Sequence, residues 1–590
     1  MKSEDIPFIP PYLNKDGWLC YLKVEKNGET SPIRLCNFIP YIAAQRIVDD
    51  GAGTKVQLEI GAFDAQGKPM EPMTVPGEKF YTLDWLNEKW GFEYYLEVGN
   101  GLKEHVRHFL QTTAHRAEKT TIYAVTGWKQ IGSCWQFLMP GDEKNTVKLE
   151  GRCNNYEFNR NDSLENVIAT MALPYAVAPK EIMFPLVAFA FLSPLNSFLR
   201  KAQYEPKTVL MLCGKTGSKK STLAALVCSF FGKFSTTELP LSFRDTANSI
   251  IRQSFALKDV LTVIDDYHPS TGRDASQMNT SAQAIFRAYG NRTGRGRLNA
   301  NSELMTDRYP QGNAIITAEF PPDVGESGTA RFIMLEIGTE DVNNEELTHY
   351  QQLAANGVLS SCMYQYTEWI KEKLLCEKTE DAFAKYLADF CKECRKELTE
   401  KGKQNQITLR DRLLDDMVSL HVGFSFFCDF LLDKNCIMPE AKPAMLEEFD
   451  AVIFTVAAKQ QSQTEQEQPT HKFIRKLNAL LESGCVSIGN RNLRPEYPII
   501  EPNNLIGYED DDYYYLNKSL SHKAVKRLCD EQGEGFAIPE RGLLKALENE
   551  GFLICDEDGK HTRNVKIGTK VRHLMVISKA KFNEVLADER

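Results

Sequence analysis

The sequence predicts an α+β multidomain chain with a β-rich N-terminal domain, an α/β core built around a phosphate loop, a helical segment and a C-terminal winged helix. Three observations carry that prediction. The chain has 590 residues, which at roughly 150 residues per domain is room for about three to four domains. A β-branched strand, a glycine loop and a helix follow one another in the middle of the chain. Beyond Leu347 the apolar residues recur at helical spacing.

Composition narrows the class. Hydrophobic residues make up 42% and charged residues 25% of the chain, which excludes a mainly disordered, collagen-like or membrane-embedded protein. Seventy basic against 80 acidic side chains leave a net charge of −10, so any contact with nucleic acid must come from a local basic patch. The 15 cysteines are scattered and odd in number; they read as reduced thiols of a cytoplasmic protein. Cys391 and Cys394 have no second pair at zinc-finger distance, and read as two small apolar residues of one helix. The start of the chain lacks a signal-peptide pattern. Met183 to Leu195, the most apolar run, holds Pro185 and Pro194 and is shorter than the roughly 20 residues of a membrane span, so it reads as a buried helix.

Residues 1–160 form the β-rich domain. Between Trp18 and Trp135 alternating runs such as Lys55 to Ile60 are broken by turn signals at Asp50-Gly51 and Gln66-Gly67. Residues 161–345 form the α/β core, with helical spacing over Asp162 to Leu199 and a buried strand at Thr208 to Cys213. Residues 346–458 are helical, with an apolar stripe at Leu413, Met417, Leu420, Phe424 and Phe427. The Gln-rich stretch Lys459 to Pro469 reads as a linker into a C-terminal domain over 459–590. There, a helix over Pro539 to Glu550 precedes a hairpin over Phe552 to Ile567, turning at Asp558-Gly559 and carrying Lys560, His561, Arg563 and Lys566. Helix plus basic hairpin is the outline of a winged helix, which serves DNA contact or protein packing equally well.

The chemistry centres on Gly214-Lys215-Thr216-Gly217-Ser218-Lys219-Lys220-Ser221-Thr222, set between a strand and the helical run Leu223 to Phe231. Glycines let backbone N–H groups converge on phosphate, and a helix N-terminus adds positive potential. Lys220 is placed to neutralise the β/γ oxygens, and Ser221 to ligate Mg²⁺. Lys219 stands where such loops usually carry glycine. Val260 to Ile264 then leads into Asp265-Asp266, with Asp265 at the metal and Asp266 orienting or deprotonating water. A third strand, Ala314 to Ile316, ends at Thr317, the first choice for a side chain sensing the γ-phosphate; Glu319 is the second. Arg331, ahead of the strand Ile333 to Ile337, reads as an arginine finger reaching a neighbouring subunit or as a surface ion pair, and its chain order favours the finger. Between these lies Arg287 to Arg308, with five arginines against Glu303 and Asp307. Its glycine-interleaved Arg292, Arg295 and Arg297 suit contact with DNA phosphates; a solvated loop or subunit contact is the alternative.

Gly127-Trp128, Thr216-Gly217-Ser218 to Ser221-Thr222, Ser242-Phe243 with Thr246, Asp265-Asp266-Tyr267-His268-Pro269, Thr317-Ala318-Glu319 and Ser327 to Arg331 together resemble a domain-of-unknown-function family of ATPases. Phages and mobile elements encode these, including the helicases of cassette chromosomes, and members are similar to minichromosome-maintenance helicases. The resemblance implies an AAA+ core, a homo-hexameric ring, ATP-driven DNA unwinding with ATP and Mg²⁺, and a C-terminal winged helix. It assigns Lys220, Asp265, Asp266, Thr317 and Arg331 the roles given above and turns Arg292 to Arg297 toward the ring pore. Lys560 and Arg563 are the candidate DNA contacts of the winged helix. The expected partners are single-stranded or forked DNA and further copies of the chain, without a membrane. A ring ATPase that remodels or loads proteins is the alternative from another class.

Overall fold

The structure, a computed structural model, describes residues 5–269, 273–293, 307–322, 324–375, 379–405, 407–492, 503–532, 536, 538–556, 559–568 and 570–587. At the N-terminus β1 (Tyr12–Lys15), β2 (Trp18–Val24) and β3 (Thr30–Cys36) form an antiparallel sheet. A meander follows, β4 (Ile39–Asp49), β5 (Thr54–Phe63) and β6 (Pro69–Pro76). Both turns expected there form for a local reason. Asp50 accepts from the backbone N–H groups of Ala52 and Gly53 at 3.0 Å, with Gly51 at φ 82°. Asp64 does the same for Gln66 and Lys68, with Gly67 at φ 78°. An aspartate and a glycine thus supply the polar partner and the left-handed residue that a tight turn requires.

After helix Leu102–Thr113 come β7 (Glu118–Tyr123), the hairpin of β8 (Gly127–Ile131) and β9 (Cys134–Leu138), and β10 (Thr146–Val147). Strands β7 and β10 join the meander in the order β10-β7-β4-β5-β6. The N-terminal hydrophobic core runs from Ile6 to Ala117, and a second core runs from Tyr123 to Ala457. Residues 118–147 thus straddle the two cores: β7 and β10 pair in the N-terminal sheet, while β8 and β9 pack on the second core. The cause is Gly127-Trp128. Trp128 is 1% exposed, its backbone N–H donates to Asp259 at 3.0 Å and its indole to the Pro194 carbonyl at 2.7 Å. Gly127, at φ 85°, lies so close to Lys258 that a Cβ would sit 2.5 Å from the Lys258 carbonyl oxygen. The β8–β9 hairpin is therefore fixed to the α/β core.

That core holds β11 (Val209–Cys213), β12 (Leu241–Ser242), β13 (Leu261–Tyr267), β14 (Asn313–Ala318) and β15 (Phe332–Glu336). All neighbours pair in parallel, in the order β12-β13-β14-β11-β15. Every residue of β11 is buried, as a strand covered on both faces requires. The apolar helix Lys180–Leu192 lies inside the core despite its length and composition.

Two organisational expectations change here. The boundary at 345 disappears, because helices Val358–Trp369, Glu380–Gln404, Asp411–Asp433 and Ala441–Gln466 contribute to the same core as the sheet. The linker over 459–469 is also replaced: helix Ala441–Gln466 continues through most of it and Pro469 opens helix Pro469–Glu482. Gln460 is 3% exposed, donates to the Thr329 carbonyl at 3.1 Å and accepts from the Met334 N–H at 2.9 Å. It thereby satisfies a backbone donor of the outermost strand, a use of glutamine that composition cannot reveal.

The C-terminal part has its own core, from Phe473 to Val585. Its sheet joins β16 (Ser487–Asn490), β17 (Leu505–Glu509), β18 (Tyr513–Leu516), β19 (Arg563–Ile567) and β20 (Lys570–Ser578) in the order β16-β17-β18-β20-β19. Helices Lys518–Glu531 and Glu540–Asn549 pack against helix Pro469–Glu482. The basic hairpin is β19–β20, pairing Ile567 with Lys570 beside Gly568 at φ 58°. It replaces the hairpin over 552–567, of which Asp558 lies outside the described residues. Upstream, Leu553 only bridges Ile577.

Candidate nucleotide-binding site

Parallel strands end together, so the residues just past β11, β13 and β14 meet at one edge of the sheet. Strand β14 lies between the loop strand and the acidic strand, where the order of strand connection reverses and a ligand crevice opens. Gly214 follows β11; a Cβ there would sit 2.2 Å from the Ile337 carbonyl oxygen, so only glycine fits. Gly217 is at φ 89° and Lys219 at φ 64°. Lys219 thus adopts the left-handed conformation that glycine takes without cost, at the position where glycine is usual. Helix Lys220–Cys228 starts immediately after it.

The Lys220 ammonium folds over the loop, donating to the Gly214 carbonyl at 2.6 Å and the Lys215 carbonyl at 2.9 Å. Ser221 donates its hydroxyl to Asp265 Oδ1 at 2.7 Å, and Thr317 donates to the same oxygen at 2.6 Å. The Asp266 N–H donates to Thr317 Oγ1 at 3.0 Å. A register shift between Ile264 and Tyr267 on β13, with Asp266 at φ 66°, bends the acidic pair out of the ladder with β14. Such a bulge re-aims side chains at a strand end. Asp266 consequently turns to Arg244, 3.3 Å from its carboxylate, and Arg244 follows β12, the neighbour of β13.

Glu319 closes the far side. It accepts from the Thr216 hydroxyl of the loop and pairs with His268 Nδ1 at 2.8 Å. The Thr216 hydrogen bond, with the contact to His268 and the charge of Lys220, holds the Glu319 carboxyl below the usual range. Thr216, Gly217, Lys219, Lys220, Ser221, Thr222, Asp266, Thr317 and Glu319 line a cleft of about 360 Å³. Ser218 is fully buried behind it. Two hard oxygens, from Ser221 and Asp265, sit side by side, a donor set that fits Mg²⁺ with its remaining positions left to phosphate and water. Among the described residues no group of three or more His, Cys, Asp or Glu side chains forms a metal centre, and the acidic run before Tyr513 is a turn in which Asp510 accepts from the Tyr513 N–H.

Other expected residues lie elsewhere. Arg331 Nη2 donates to Asn291 at 3.0 Å and Nη1 to the Ser327 hydroxyl at 2.6 Å. Its carbonyl accepts from Val209, at the start of β11, so the length of that strand, roughly 13 to 16 Å, separates it from its own loop. Arg292 is corrected. It is 6% exposed and its guanidinium donates to the carbonyls of Pro206, Pro310 and Gly312 at 2.7 to 2.9 Å, with Glu205 at 3.7 Å. A guanidinium spent on buried carbonyls has no face for DNA. Arg295 and Arg297 lie outside the described residues. In the C-terminal part Lys560 is exposed, whereas Arg563 donates to the Cys555 carbonyl. Sequence reasoning missed Arg244 and His268. His268 follows the acidic pair directly, and Arg244 comes near only through the parallel pairing of Ser242 with Asp265.

No family model and no curated protein matches this chain. Solved structures do. The structure titled "SCCmec type IV Cch - active helicase" is 13% identical, with a TM-score of 0.57 over 98% of this chain and 99% of that one. The two share a fold from end to end. A JCV helicase with a bound acetamide compound (14% identity, 44% of this chain, 72% of that chain, TM-score 0.20) and an NrS-1 C-terminal region (10%, 66%, 88%, 0.23) overlap too little to carry an argument.

Proposed function

We propose that the chain is an ATP-dependent DNA helicase of the AAA+ type, working as a homo-hexameric ring like the minichromosome-maintenance helicases in the replication of a phage or integrated mobile element. One observation carries the reading. Lys220, Ser221, Asp265 and Thr317 converge at the switch point of a parallel sheet, in a chain whose whole fold is shared with a structure titled as an active helicase.

In this reading the loop from Gly214 to Thr222 binds the triphosphate of ATP through its N–H groups and Lys220. Ser221 and Asp265 hold Mg²⁺, which would neutralise charge on the β/γ oxygens. Thr317 fixes the Asp265 carboxylate and reports on the γ-phosphate. Asp266 orients water after leaving Arg244, and Arg331, remote from its own loop, serves the site of the next subunit. The helix Glu540–Asn549 with hairpin β19–β20 acts as a winged helix, offering exposed Arg541, Lys545, Lys560 and Lys566 to DNA. Arg295 and Arg297 contribute pore contacts.

The test is unwinding of a forked duplex by the purified full-length chain. ATP-dependent strand separation, lost in Lys220→Ala protein, supports the reading. A protein that hydrolyses ATP yet neither binds nor unwinds DNA is instead a ring ATPase acting on proteins.

A further inference from the structure

Glu319 is a carboxylate in a cleft that receives, on the reading above, the most negative part of ATP. It lines the same cleft as Lys220 and the loop, and its side chain is 30% exposed. Three groups face it. Thr216, at the tip of the phosphate loop, donates its hydroxyl to one oxygen; His268 Nδ1 lies 2.8 Å from the other; Lys220 contributes its positive charge. The contact therefore ties the loop after β11 to the residue just beyond β14, and to the residue just beyond β13 through His268.

We infer that Glu319 is a latch on the phosphate loop, setting the affinity for ATP by competing with the γ-phosphate for the Thr216 hydroxyl. The competition follows from charge. A carboxylate and a γ-phosphate cannot share one hydroxyl without repelling each other. A unit charge about 4 Å away shifts an equilibrium roughly fivefold even in bulk water. His268 moderates the latch: its positive form draws Glu319 away from the loop and offsets its charge.

This inference rests on the ATP-binding reading, and one set of equilibrium titrations separates the two. Full-length wild type, Glu319→Gln, His268→Ala and the double variant are titrated with ATP and ADP under conditions that block turnover. The latch predicts that Glu319→Gln tightens ATP binding roughly three- to tenfold and ADP binding less, because ADP lacks the γ-phosphate. His268→Ala weakens ATP binding roughly two- to threefold. The double variant behaves like Glu319→Gln, because the histidine acts only through the carboxylate. Glu319→Gln protein with wild-type ATP affinity and depressed turnover overturns the latch and makes Glu319 a sensor or base. An equal gain for ATP and ADP also overturns it. Wild type that binds no ATP overturns both readings; wild type that binds while Glu319→Gln binds no tighter overturns the latch alone.

Discussion

The two ends of the parallel sheet use the same kinds of residue for opposite purposes. At the end where β11, β13 and β14 finish, Lys220, Ser221, Asp265 and Thr317 are bonded to one another around a cleft. At the other end Arg292 and Arg412 donate to backbone carbonyls, and Asp416 is buried beneath them. Charged side chains beside a cleft are left facing space a ligand can fill; the same side chains beneath packed strands satisfy buried carbonyls. The difference lies in what surrounds each residue, and neighbouring letters of the sequence do not carry it.

The largest effect belongs to the cleft. Lys220→Ala lowers ATP hydrolysis by roughly 10² to 10³ or more, the scale of one lost charge-stabilising donor, with an unchanged melting temperature. Phosphate-release assays paired with thermal melts check both halves, and a normal rate would sink the assignment.

Next comes the buried arginine. Arg292→Ala strands three buried carbonyls, while Glu205 keeps Arg200 at 2.6 Å; the stranded acceptors cost roughly 1 to 3 kcal/mol and lower the denaturation midpoint. Arg331→Ala, at a half-exposed position, leaves stability nearly unchanged but abolishes ATPase activity. Mixed with Lys220→Ala subunits it regains activity, because the Lys220→Ala subunit supplies the arginine that completes its neighbour's intact loop. Equal destabilisation by the two substitutions would erase the contrast drawn here.

The third prediction concerns pH. Burial pushes the Asp416 carboxyl from 3.8 up to about 7, against the pull of Arg412. Its folded pKa lies above its unfolded one, so the folded state holds the extra proton between about pH 4 and 7 and stability falls as pH rises through that window. Asp416→Asn, which mimics the protonated acid, therefore matches wild type near pH 4 and melts higher at pH 8. Parallel melting curves that never separate would contradict it.

The smallest effect is at Lys219. Glycine removes the cost of a left-handed side-chain residue, about 1 kcal/mol, and returns part of it as unfolded-chain entropy. Lys219→Gly should melt about 1 °C higher and keep its ATPase rate. Collapse of nucleotide binding would show that the Lys219 ammonium is itself a phosphate contact.

How much of this was legible follows the same division. The strand, glycine loop and helix are local, so Thr208 to Phe231 reads correctly from the sequence, down to the misfit at Lys219, whose φ explains it. The turns at Gly51 and Gly67 are local too. Arg292 misled because an arginine among arginines suggests a solvated basic loop, whereas its partners, Pro206 and Gly312, lie 86 and 20 residues away in sequence. The linker failed for a similar reason: Gln460 is polar in composition but spent on Met334 and Thr329. Arg244 opposite Asp266 depends on strand order, which no spacing encodes.

The central claim is that this cleft hydrolyses ATP in response to DNA. Its most direct test is the steady-state ATPase rate of the wild-type chain titrated with forked DNA, beside Lys220→Ala protein. The account predicts a saturable rise in rate with DNA that weakens steeply with added salt and is absent from the variant. A rate identical with and without DNA, in protein that binds ATP normally, would contradict it.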